Sequence, residues 1–264
     1  MPSRAPDWLT AAPVAHRGLH DAARGIVEST PSAFSAAIAG GFAIETDLQL
    51  SSDAEAMVFH DDRLTRLTER SDDIRTLSAA ELKTVRYKDT TDRMITLGDL
   101  CDMTNGRVPL VVEIKSRFDG DRRLIRRIAE IVHAYQGPLA LMSFDPDQVL
   151  AIRDQVPDVP RGVVAERYYR EAEWQALPPE KVRGMLHLRH AFRTRPHFIA
   201  YWINELPAPA PWIAQHIFGC ALLTWTVRTP DQRARAARYA DQMIFEGFVP
   251  EPKHPRRRLE NHDL

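Results

Sequence analysis

The chain has 264 residues, 44% of them hydrophobic and 27% charged, with a formal net charge of -1. This composition excludes a disordered or fibrous chain, and the balanced charge gives no global reason to bind nucleic acid or an anionic membrane. No run of about 18 apolar residues and no signal-peptide-like leader occurs, so no membrane insertion is expected and a cytoplasmic location is. Cys101 and Cys220 lack C-x-x-C or zinc-type spacing and are expected to be free thiols.

The first expected strand covers residues 12–15 and ends at His16-Arg17-Gly18. Thr30-Pro31 then offers an N-cap and a proline at the first helical position, with Ala33, Phe34, Ala37 and Ile38 as an apolar face and Gly40-Gly41 as a stop. The second strand, residues 42–48, carries Glu45-Thr46-Asp47. Only twelve residues separate Asp47 from His60, too few for a crossover helix and a parallel strand. The chain must therefore turn back about Asp53-Ala54, bringing residues 55–59 antiparallel and His60 level with Asp47. Residues 61–95 are polar and read as a small insertion beside the site, with a capping box at Ser78-Ala79-Ala80-Glu81.

Thr96-Leu97-Gly98-Asp99 starts another helix, and residues 108–115 form the third barrel strand, closing on Glu113-Ile114-Lys115. An amphipathic helix is predicted over 119–135, with Leu124, Ile128 and Ile131 opposite Arg122, Arg123 and Arg126. Strands at 139–144, 162–165, 198–203, 221–227 and 242–245 bring the total to eight. Pro207-Ala208-Pro209-Ala210-Pro211 reads as a rigid loop at the barrel mouth, and the basic run from Lys253 to Arg258 as a solvated tail. Eight strands with crossover helices in this length imply a TIM (β/α)8 barrel, one domain over residues 1–264 with its core at about 12–250. Its site would lie at the C-terminal strand ends.

Side chains two apart on a strand share a face, so Glu45 pairs with Asp47 and Glu113 with Lys115. Three carboxylates converging at strand tops supply the hard oxygen ligands that Mg²⁺ or Ca²⁺ prefers. His16 and His60 are the natural general acid and base. Arg17 and Lys115 add positive charge suited to phosphate oxygens, or alternatively neutralise the acids. Together these are the parts of a metal-assisted phosphodiester hydrolase.

His-Arg-Gly at 16–18, Glu-x-Asp at 45–47, His-Asp at 60–61, Glu-Ile-Lys at 113–115, Ser143-Phe144-Asp145 and Trp225-Thr226-Val227 resemble, in order and spacing, the glycerophosphodiester phosphodiesterases. The resemblance implies that Glu45, Asp47 and Glu113 hold a divalent cation, that His16 and His60 do acid-base work, and that Arg17 and Lys115 bind phosphate. It also implies that Trp225 walls the pocket, that Glu28 joins the substrate site, and that a small glycerophosphodiester is cleaved to an alcohol and glycerol 3-phosphate. A lysophospholipase D-like lipid phosphodiesterase and a non-catalytic glycerophosphodiester-binding protein are the alternatives. Two departures stand out: the usual Asp-Gly turn is Asp53-Ala54, and Phe245-Glu246-Gly247-Phe248 replaces the customary Thr-Asp after the last strand.

Overall fold

In chain order the strands of the computed structural model are β1 (Val14–Ala15), β2 (Ala43–Leu50), β3 (Ala56–Val58), β4 (Leu110–Ile114), β5 (Leu139–Ser143), β6 (Arg161–Ala165), β7 (Phe198–Trp202), β8 (Ala221–Val227) and β9 (Gln242–Phe245). The structure describes residues 4–169, 174 and 176–250; the basic run from Lys253 to Arg258 lies outside them. Hydrogen bonding follows the order β1-β9-β8-β7-β6-β5-β4-β2, and β1 pairs back onto β2. Eight parallel strands thus close into the expected (β/α)8 barrel. The remaining strand, β3, runs antiparallel on the end of β2, with Leu48 opposite Val58 and Leu50 opposite Ala56.

Strand alternation decides what lines the barrel. Ala43, Val111, Met142, Val164, Ala200 and Leu223 belong to one interior cluster, while their neighbours Ile44, Leu48, Leu110 and Val112 pack outward beneath the helices. Leu9, on the short helix Trp8–Ala11 before β1, joins the interior cluster at 1% exposure and plugs the N-terminal end. Burying such a side chain contributes about 2 kcal/mol. On the same strand faces, toward the C-terminal end, come Glu45 and Asp47 beyond Ala43 and Glu113 beyond Val111. The alternation that builds the core also delivers the acids to the mouth.

The hairpin turns where expected. Ser51 N–H donates to the Glu55 carbonyl at 3.1 Å, and Phe59 N–H donates to the Asp47 carbonyl at 3.1 Å, which sets His60 one residue beyond Asp47's level. Ala54 takes the left-handed conformation, φ 65°, at a cost of about 1 kcal/mol relative to glycine. The insertion is less bare than its polarity suggests: Phe59, Leu64, Ile74, Leu82, Val85 and Met94 form its own apolar cluster, and the Ser78–Glu81 capping box opens the helix Ala79–Thr84.

Two expectations change. The amphipathic helix starts only at Arg123 (Arg123–Ala134), because Phe118 and Gly120 take positive φ and the Asp121 carboxylate accepts from the Arg123 N–H at 2.9 Å. The proline run is not a rigid loop throughout: Pro209 opens the helix Pro209–His216. Proline is well suited to a first turn, whose N–H groups have no intrahelical partner.

Candidate active site

The site begins where β1 stops. His16 N–H donates to the Phe245 carbonyl at 2.9 Å, still in barrel register, and the chain then turns sharply through Arg17 (φ 54°) and Gly18 (φ 81°). A Cβ at position 18 would lie 2.9 Å from the Ala33 carbonyl carbon, so glycine alone fits this turn. The turn points the Arg17 N–H at Glu45 Oε2, 3.1 Å away.

Glu45, Asp47 and Glu113 bring carboxylate oxygens within 4.8 Å of one another, and their exposures are only 2%, 1% and 7%. Asp47 faces Glu113 directly across the β2–β4 ladder. Lys115 Nζ sits 2.9 Å from Asp47 Oδ1 and 2.8 Å from Glu113 Oε1, and Arg17 Nε lies 3.3 Å from Asp47 Oδ2. Neither Arg17 Nε nor Asp47 Oδ2 makes a hydrogen bond, although both are buried. Three buried acids share two fixed cations, which makes one of the acids costly to ionise. Burial, with the charges of Asp47 and Glu113, pushes the Glu45 carboxyl well above the usual carboxylate range. Burial acts the same way on Asp47, but Lys115, His60 and Arg17 outweigh it and hold that carboxyl low. An oxygen-only donor set with an orphaned carboxylate oxygen fits a divalent cation of the Mg²⁺ or Ca²⁺ type.

Each histidine has a carboxylate behind it. His16 Nδ1 is hydrogen-bonded to Glu246 Oε2, and Arg228 Nε holds Glu246 Oε1 at 2.5 Å. His60 Nδ1 lies 2.6 Å from Asp61 Oδ1, and Arg66 Nε holds Asp61 Oδ2 at 2.7 Å. A carboxylate can only accept, so the proton resides on Nδ1 of each ring and Nε2 is left for chemistry. The Nε2 of His16 points back toward the acids, 3.9 Å from Glu45 Oε2. Burial, and then Arg17, lower the His16 pKa despite Glu246.

Glu28 connects the two sides. Its carboxylate accepts from Arg17 at 2.7 Å and from both terminal nitrogens of Arg66 at 2.7 and 3.0 Å. Its oxygens are therefore engaged in holding the guanidiniums. Burial pushes the Glu28 carboxyl up, but Arg66 and Arg17 bring it from 4.5 down to about 2. A carboxylate depressed in the fold stabilises it fully above the unfolded value, and that stabilisation is lost as pH falls from 4.5 through about 2. Unfolding temperatures measured from pH 5 to about pH 2 should fall less steeply for Glu28→Gln than for the parent. Parallel curves would count against this role.

Trp225, at the end of β8, donates its Nε1–H to the Ala200 carbonyl at 2.9 Å and meets Phe144 edge to face at 5.7 Å, which places it inside the barrel mouth. All nine residues singled out from sequence lie at the C-terminal strand ends or in the loops that follow them. Sequence reasoning missed Glu246, Arg228 and Arg66 as partners of that site. Glu246 had a usable signal, an acid directly after the last strand; Arg66 had none, since only the folded insertion brings it to Glu28 and Asp61.

Solved structures share this barrel. A phosphodiesterase from Oleispira antarctica, in complex with the product sn-glycerol-3-phosphate, superposes with a TM-score of 0.71 at 18% identity, over 88% of this chain and 91% of that one. The glycerophosphodiester phosphodiesterase of Thermotoga maritima gives 0.66 at 22% identity, over 89% and 94%. One from Parabacteroides distasonis gives 0.70 at 16% identity, over 89% and 92%. No curated protein matches the chain with significance. Residues 16–249 match the sequence profile of the glycerophosphoryl diester phosphodiesterase family, a span that runs from the first catalytic-type histidine to just past Glu246, and the chain belongs to that family and is an enzyme of its class.

Proposed function

We propose that the protein hydrolyses glycerophosphodiesters to an alcohol and glycerol 3-phosphate with the help of a divalent cation. The observation that carries this reading is the buried Glu45–Asp47–Glu113 cluster, three acids with two fixed cations between them, flanked by two carboxylate-backed histidines. A cation held by those three carboxylates would supply charge stabilisation to the phosphoryl oxygens. Arg17, whose Nε lacks a hydrogen bond, and Lys115 bind and orient the anionic diester, the first as a fork and the second as a point charge.

One histidine accepts the proton of the attacking hydroxyl as its oxygen bonds to phosphorus. The other, doubly protonated with its Nδ1–H held by its carboxylate, gives its Nε2 proton to the departing alkoxide as the phosphorus–oxygen ester bond breaks. The attacking hydroxyl belongs to water or to the glycerol 2-position. Trp225 and Phe144, packed edge to face, wall the mouth. The two cysteines are free and buried, in keeping with a reducing cytoplasmic setting, and among the described residues no helix is long and apolar enough to cross a membrane.

The test is enzymatic release of glycerol 3-phosphate from glycerophosphocholine and glycerophosphoethanolamine, run beside choline release from lysophosphatidylcholine. Turnover of the soluble diesters is expected. Turnover of lysophosphatidylcholine alone would favour the lipid phosphodiesterase, and tight binding of glycerophosphocholine without turnover would favour the binding protein.

A further inference from the structure

Four of the seven exposed large apolar side chains among the described residues line one groove: Phe192 (73% exposed), Ile217 (64%), Ile213 (43%) and Phe218 (43%). They come from the helix Ala191–Thr194 and from the helix Pro209–His216 with the turn after it. Phe192 and Phe218 meet edge to face at 5.8 Å, over a groove of about 600 Å³ floored by Leu188, Ile199 and Ala214. Isolated exposed apolar residues need no explanation, but this concentration marks a contact surface.

Charge identifies the partner. From Lys181 to Pro230 the single acidic residue is Glu205, which sits after β7 at the mouth end of the barrel. Arg183, Arg189, Arg193 and Arg195 are exposed, and no carboxylate of the described residues forms an ion pair with any of them. Arg195 lines the groove, and Arg189 and Arg193 lie beside Phe192 in the chain, so one side of the apolar face is basic in a chain whose net charge is only -1. A second copy docked by two-fold symmetry would set these arginines against themselves.

We propose that this face docks the protein peripherally on an anionic lipid surface. The apolar knobs enter the headgroup boundary, and the arginines lay their stems on the apolar surface while their guanidiniums reach lipid phosphates. The groove lies just ahead of β7 and β8, at the N-terminal end of the barrel, opposite the carboxylates. A docked molecule would thus hold its mouth toward the aqueous side and draw on water-soluble diesters. The inference does not depend on the roles given to His16 or His60.

The test is cosedimentation of the full chain with vesicles of phosphatidylcholine alone and of phosphatidylcholine with phosphatidylglycerol, at low and high salt. Binding is expected only to the anionic vesicles and only at low salt. The Ile217→Ser/Phe218→Ser variant and the Arg189→Glu/Arg193→Glu/Arg195→Glu variant should each weaken that binding by about tenfold or more, with unfolding temperature retained as the check on folding. Both keep the basic residues from Lys253 to Arg258, so undiminished binding in folded variants would assign it to that segment and overturn the proposal. Absence of binding by the parent, equal binding to neutral vesicles, or a dimer that the same variants dissociate would also overturn it.

Discussion

His16→Ala is expected to lower kcat on glycerophosphocholine by about 10²–10⁴-fold, the range a positioned general acid or base supplies, with KM changing much less. The ring's Nδ1 is fixed by Glu246 and its Nε2 faces the buried acids, so on the proposed mechanism its loss removes an interaction made chiefly in the transition state. Glu246→Gln keeps a hydrogen-bond acceptor but removes the charge behind the imidazole, and an intermediate loss of roughly tenfold to a hundredfold is expected, as for other carboxylates that orient a working histidine. A nitrophenyl diester separates the two proton transfers, because nitrophenolate departs without protonation. If His16 is the acid, its deletion costs little on that substrate; if it is the base, the loss persists. Undiminished glycerophosphocholine turnover by His16→Ala would remove the residue from the mechanism.

Chelation should abolish turnover, with recovery on adding Mg²⁺ or Ca²⁺, and Asp47→Asn should cost about 10³-fold or more even at saturating cation, the scale of several kcal/mol of charge stabilisation. Asp47 is the centre of the cluster: Lys115 holds one oxygen at 2.9 Å and Arg17 stands 3.3 Å from the other. The amide nearly matches the carboxylate in shape, so the change is electrostatic. A second readout is independent of activity. Ligands that bind the native state alone raise its stability, so Mg²⁺ or Ca²⁺ should raise the unfolding temperature of the parent and not of Asp47→Asn. Full activity in chelator, or equal cation shifts for both proteins, would dismiss this assignment.

Every barrel strand was legible because parallel strands buried on both faces are short apolar runs with turn residues between them, and the acids of β2 and β4 interrupt those runs at one end. The hairpin followed from chain length alone, since twelve residues between Asp47 and His60 cannot hold a crossover. The proline run misled because proline signals both loops and first turns, and only the apolar Trp212 and Ile213 beyond it distinguish them. The braces were illegible for a different reason. Arg66 reaches Glu28 across 38 residues and Glu246 reaches His16 across 230, and nothing local to either residue encodes a partner that folding alone supplies.

That last distance places one half of a working pair on the first strand and the other just beyond the last. Barrel closure, in which β1 slots between β2 and β9, and the arming of His16 are therefore a single event. A ribosome must release residue 246 before His16 has its carboxylate partner, so a nascent chain, or one clipped before Glu246, carries nearly the whole barrel without that contact.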